Sequence, residues 1–204
     1  MRFILFFFTA AAMGVAALAQ DTNLHTNVHE LYLQDQSDRG VGGGKAVSNW
    51  QDLVKRDNAR RGRVRELLAS GALKTAEDFH DAAFIFQHSV QTEQYPLTAV
   101  ASDYLLAHVL ASVAVAKGDS KSLWISAASL DRYLQLIGQA QVFGTQYQSK
   151  DDKPYTQKPY NRTLIPDALR LVFCVPSLEQ QKSNVADFNA GKYPAGILPA
   201  GCQR

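Results

Sequence analysis

From Leu97 to Ala116 the chain is apolar almost all round. Val100, Leu105, Leu106, Val109, Leu110, Val113 and Val115 leave no continuous polar face. A helix of that kind needs cover from its neighbours, so it is expected at the centre of a larger helical fold. Pro96 suits its first turn, and Gly118 closes it. Its few polar members, Asp103, Tyr104 and His108, are then conspicuous, because a buried polar group costs free energy unless it is hydrogen-bonded.

The flanking segments carry the same period. Residues 26–38 predict a first helix with Val28, Leu31, Tyr32 and Asp35 along one side. Gly40 to Gly44 then breaks the chain. It is not a phosphate loop: Arg39 and Ala46 stand where that motif needs Gly and Ser or Thr. The run reads as a flexible linker. Ser48 is the expected cap of a second helix running to about Ser70, with Trp50, Leu53, Val54, Val64, Leu67 and Leu68 apolar. Its arginines 60, 61, 63 and 65, near Asp57 and Glu66, read as a solvated, ion-paired face. Thr75 to Asp78 opens a third helix with a near-capping box. A fifth starts at Ser120 or Ser122 and ends at Gly138.

Beyond Gly138 the regularity fades. Residues 148–162 are polar, with Pro154, Pro159 and tyrosines, and read as a surface loop. A turn at 166–170 and a last helix at 176–189 follow. The expectation is an all-α single domain: a bundle of about five main helices with a loop-rich C-terminal region. Its expected divisions are a cleaved signal peptide at 1–19, an N-terminal helix and Gly-rich linker at 20–44, a helical domain at 45–190 and a Pro/Gly-rich tail at 191–204.

The ends set the compartment. Met1-Arg2, an apolar run to Ala17 and the small-x-small Ala17-Leu18-Ala19 have the form of a secretory signal. Export, to the periplasm or outside, is therefore expected, with no stable membrane span after cleavage. In that setting the two cysteines, Cys174 and Cys202, suggest a disulfide. The formal charge of the whole chain is only +2. That balance gives no clustered basic surface of the kind nucleic acid requires. Cysteine and histidine spacings fit no zinc motif, and no nucleophile elbow or dinucleotide fingerprint occurs. Neither a metal nor a cofactor is expected.

The informative residues are polar ones where a helical protein normally places apolar ones. His108 lies in the middle of the apolar helix, and His88 ends helix three beside Gln87. Asp131-Arg132 falls within helix five, and Gln141, Gly144, Thr145 and Gln146 lie in the turn after it. Two readings stand. In one the residues line a polar pocket that binds a small ligand or performs hydrolase-like chemistry. His108 or His88 is then the acid/base, oriented by Asp131, and Gln87, Arg132, Gln141, Gly144, Thr145 and Gln146 bind the substrate. In the other the same residues form a buried hydrogen-bond network in a non-catalytic domain, whose protein partner docks near Tyr147, Tyr155 and Tyr160.

Six blocks in order carry a resemblance. They are Arg56-Asp57-x-x-Arg60, Arg63-Val64-x-x-Leu67-Leu68, Phe86-Gln87-His88, Asp103-Tyr104-Leu105-Leu106-Ala107-His108, Leu130-Asp131-Arg132 and Gln141-x-Phe143-Gly144-Thr145-Gln146. The chain from about Asp35 to Gln180 resembles an uncharacterised bacterial family, domain of unknown function 6624. The resemblance implies a helical domain and no known reaction. It adds weight to a shared site, since its blocks fall on the polar residues above. Phe143 stands where relatives carry Tyr, and Val175-Pro176-Ser177-Leu178 departs from their Pro-Pro-Leu.

Overall fold

The structure, a computed structural model, describes residues 28–151, 153–200 and 202, so the signal segment expected at 1–19 lies outside the described residues. All regular structure among them is helical. Helix α1 spans 28–38, and a short 3-10 turn Val41–Gly43 leads to α2 (Trp50–Ala69). Then come α3 (Ala76–Gln87), α4 (Leu97–Ala116), α5 (Ser122–Leu136), the short α6 (Asp167–Val172) and α7 (Leu178–Asn189). Two isolated bridges, Gln141 with Tyr160 and Gln148 with Thr156, are the only β pairing among the described residues. The fold is all-α and forms one domain, as expected.

Local chemistry explains the boundaries. Asn49, and not the expected Ser48, caps α2: its side-chain oxygen accepts from Asp52 N at 3.1 Å. Asn caps as well as Ser. Thr75 and Asp78 form the predicted capping box and fix where α3 begins. Gly118, at φ +101°, turns the chain sharply from α4 into α5, a conformation that needs no Cβ.

α3 and α5 both pack on α4. They cover a stripe at three- and four-residue spacing: Val100, Asp103, Ala107, Leu110, Ala111 and Ala114. The expected all-round burial of α4 is therefore corrected. Its outer face meets solvent, with Val109 48 % exposed, because two neighbours cover only part of a cylinder. Among the described residues α4 is the one helix long and apolar enough to cross a membrane. The main core draws Val28, Val64, Leu67, Phe84, Phe86, Leu110 and Ile125 from α1 to α5. Trp50, expected on the apolar side of α2, is instead 59 % exposed.

The expected boundary at Gly44 does not divide the fold, because α1 is tied into α2 by buried charge. Arg39 meets Asp35 at 2.8 Å and Asp57 at 2.7 Å, while Arg60 meets Asp38 at 2.7 Å and Asp57 at 2.6 Å. Arg61 lies 3.3 Å from buried Asp103, which Arg65 also contacts. The solvated arginine face read from the sequence is thus corrected for Arg60 and Arg61, both buried. Eight carboxylate and guanidinium groups pair there, the condition under which charge can be buried.

The C-terminal region has a smaller core of Ala127, Phe143 and Val175. The disulfide Cys174–Cys202 ties its tail back to the end of α6.

Candidate active site

The residues first singled out in the sequence fall into three places. Asp131, Gln141, Gly144, Thr145 and Gln146 come together. The Asp131 carboxylate accepts from the backbone N–H of Val142, Phe143 and Thr145 at 2.8, 3.0 and 2.9 Å, and from the Thr145 hydroxyl at 2.8 Å. Burial pushes its pKa up, and these four bonds pull it back. Gln141 bridges the turn, accepting from Gln146 N and donating to Gln146 O, both at 3.0 Å. Gly144 sits at φ +83°, where a Cβ would collide with Gln181 and Tyr160. No histidine among the described residues reaches Asp131, so the orienting role expected of it is not what its geometry provides.

His108 is elsewhere. Its Nδ1 meets Ser126 O at 2.9 Å, joining α4 to α5. His88 is a third place: its Nδ1 meets Asp35 at 3.0 Å inside the α1–α2 charge cluster. Burial lowers its pKa, against the pull of Asp35, and the charges of Arg39 and Arg132 lower it further. Gln87 beside it leaves Oε1 buried without a partner. Of the expected partner tyrosines, Tyr155 is 39 % exposed. Tyr160 is half-buried, donating to Phe143 O and accepting from Arg170, and Tyr147 accepts from Asn184.

A titratable cleft lies where α1, the start of α3 and the α4–α5 turn converge. It has a volume of about 520 Å³ and is lined by His29, Tyr32, Glu77, His80, Asp81 and Asp119, with Lys117 and Lys121 at the turn. His29 and Tyr32 are three apart, on one face of α1. The capping box sets the register that brings His80 and Asp81 round the first turns of α3, and the Gly118 turn sets Asp119 opposite.

Each histidine is held at Nδ1 by a carboxylate. His29 Nδ1 lies 2.8 Å from Asp81 Oδ2, with Glu77 further off at 3.8 Å. His80 Nδ1 lies 3.1 Å from Asp119 Oδ2 and 2.8 Å from Ser122 Oγ. Ser122 itself donates to Asp119 at 2.6 Å. Serine and aspartate thus share one ring nitrogen, which rules out a relay in which histidine activates this buried serine. Neither Nε2 has a partner among the described residues. Tyr32 stands between the two rings, with centroids 6.2 Å from His29 and 6.0 Å from His80, and Phe84 forms an aromatic base beneath.

The two pairs are pushed apart electrostatically. Burial raises Asp81 to about 7, against the bond from His29. His29 is raised in turn, chiefly by its hydrogen bond to Asp81. The pair therefore keeps a proton into the neutral range. His80 is lowered, mainly by burial, against the pull of Asp119. It is a neutral imidazole there, with Nδ1–H turned to Asp119 and a lone pair on Nε2.

Sequence reasoning passed over His29, His80, Asp81 and Asp119. The available signal was Glu77-x-x-His80-Asp81, a run of titratable residues extending past the capping box into a helix that otherwise turns apolar. Among the described residues no group of three or more His, Cys, Asp or Glu side chains is arranged to hold a metal ion. No family model, curated protein or solved structure matches this chain.

Proposed function

We propose that the protein is an exported hydrolase of small molecules that works by paired-histidine acid–base chemistry in the α1–α3 cleft. The observation that carries the reading is that two histidines line one cleft, each held at Nδ1 by a carboxylate, with burial and those carboxylates pushing them in opposite directions. Titratable groups pushed apart in this way mark an acid and a base. His80 Nε2 takes the proton of an attacking water. His29 holds the proton shared with Asp81. Whether that proton sits on the carboxyl or on the imidazole, Nε2 of His29 bears a hydrogen to give to a leaving group. Lys117 and Lys121 favour a substrate with negative charge near the reacting bond. Export is supported by the disulfide, which persists in oxidising compartments. The motif blocks resembling the uncharacterised helical family supply no reaction of their own.

A second reading applies to the Asp131 set. Four donors from one turn converge on one carboxylate, which favours a hydrogen-bond network that holds the C-terminal region in place.

The test is hydrolysis of p-nitrophenyl esters and of bis(p-nitrophenyl) phosphate by the mature protein. His80→Gln and His29→Gln should each lower kcat/KM by roughly 10²–10⁴. The pH profile should be a bell: its acid limb follows His80 and its alkaline limb the His29–Asp81 pair. The reading fails if neither probe class is turned over, or if turnover survives both substitutions.

A further inference from the structure

We infer that a second cleft, at the opposite end of the α4–α5 pair, binds a small carboxylic acid carrying an amide N–H through Arg132. The cleft has a volume of about 320 Å³, and Tyr104, Arg132, Gln135, Gln146, Tyr147 and Gln148 line it. It lies thirteen residues back along α4 from Lys117, about 20 Å at the helical rise, and is separate from the histidine cleft.

Arg132 is the exception among the arginines of the long helices. Arg56, Arg60, Arg61, Arg63 and Arg65 each meet a carboxylate. Arg132 forms no hydrogen bond or ion pair among the described residues, and its Nε is buried without an acceptor. The Gln135 side-chain nitrogen is buried in the same state. No Asp or Glu side chain lines the cleft to neutralise the guanidinium. A half-buried guanidinium with no counter-charge in its cleft is the arrangement that an incoming carboxylate completes, and a planar guanidinium binds a carboxylate in bidentate fashion.

The other lining groups set what the rest of the ligand must be. Tyr147 accepts from Asn184 at 3.2 Å and keeps its own hydrogen to give. Tyr104 has given its hydrogen to Ser89 O at 2.8 Å. Gln146 spends its amide hydrogens on Ala128 O and Thr145 Oγ1, and Gln148 donates to Lys158 O. Both keep an accepting Oε1. The Arg132 guanidinium and the Tyr147 hydroxyl as donors and the two glutamines as acceptors match a carboxylate with a nearby N–H, the chemistry of an N-acylated amino acid. A volume at the lower end of ligand pockets suits a ligand of that size.

Isothermal titration of the full mature chain with N-acetyl-L-alanine, its neutral methylamide and inorganic phosphate tests the assignment. The acid should bind, and the methylamide and phosphate should bind at least tenfold more weakly. Arg132→Gln should lose at least tenfold in affinity, with melting by circular dichroism reporting whether it folds. Tyr147→Phe removes the donor to the ligand together with one acceptor of Asn184 and should lose severalfold. His29→Gln and His80→Gln should bind the acid as the wild type does. Absent binding, equal binding of the methylamide or phosphate, or wild-type affinity in Arg132→Gln and Tyr147→Phe would overturn the inference. Loss of binding in the histidine variants would also overturn it, by moving the ligand to the other cleft, and would leave the reading of that cleft standing.

Discussion

Asp81 and Asp131 are both buried carboxylates on core helices, and their surroundings put them to opposite uses. Asp131 collects three backbone N–H groups and a hydroxyl from one turn. Its partners have no other acceptor among the described residues, so it fixes the path of the chain. Asp81 meets the Nδ1 of one half-exposed histidine at the edge of a cleft. Too few donors offset its burial, and it is raised to about 7. The number and kind of donors around a buried carboxylate therefore separate a group that organises backbone from one that holds a proton.

The comparison can be broken at either end, and the largest effect belongs to Asp131. Asp131→Ala leaves three backbone donors buried and unpaired. Stability should fall by about 3–5 kcal/mol, seen in thermal melts as a drop of roughly 6–20 °C for a chain of this size. A fall below about 1 kcal/mol would mean that the turn finds other acceptors.

The same C-terminal region is tied by Cys174–Cys202, which closes a loop with a sequence separation of 28. Replacing both cysteines by serine should cost about 3–4 kcal/mol in the chain-entropy account, measured as a lower denaturant midpoint with a steeper slope, because the freed unfolded chain exposes more surface.

Asp81 should behave in the opposite sense. Its folded-state pKa is raised, so its contribution to stability is present below the unfolded carboxyl value and is lost as pH rises through about 7. Asp81→Asn removes that loss. At pH 8 the variant should be more stable than the wild type by on the order of 1–2 kcal/mol, while at pH 4 the two should melt together. A variant less stable at both pH values would place Asp81 with Asp131 as a structural group.

His108→Gln should do least. Its one backbone acceptor, Ser126 O at 2.9 Å, remains within reach of an amide donor. The change should stay within about 1 kcal/mol, with hydrolysis unaffected.

The helices were legible because their signals are local. The capping box at Thr75, Gly118 as a stop, and the apolar run from Leu97 to Ala116 need no knowledge of neighbours. What depends on neighbours was not. Arg60 and Arg61 carry the pattern of a solvated face, and burial reversed that reading because Asp35, Asp38 and Asp103 arrive from other helices. The prominence of Asp131, Gln141 and Thr145 was real, but one carboxylate read from sequence does not say whether backbone or a histidine will reach it. His29 and His80 looked ordinary for the converse reason. Each is unremarkable on its own helix, and the cleft exists only once α1 lies against α3 and the α4–α5 turn faces both.

The most direct measurement is an NMR titration of the histidine ring protons in the wild type and in Asp81→Asn. The account predicts that His29 titrates above the ordinary histidine value of about 6.5 and moves down when Asp81 loses its charge, while His80 titrates below that value in both proteins. Two histidines titrating together at the ordinary value, unmoved by the substitution, would contradict the acid–base pair on which the proposed function stands.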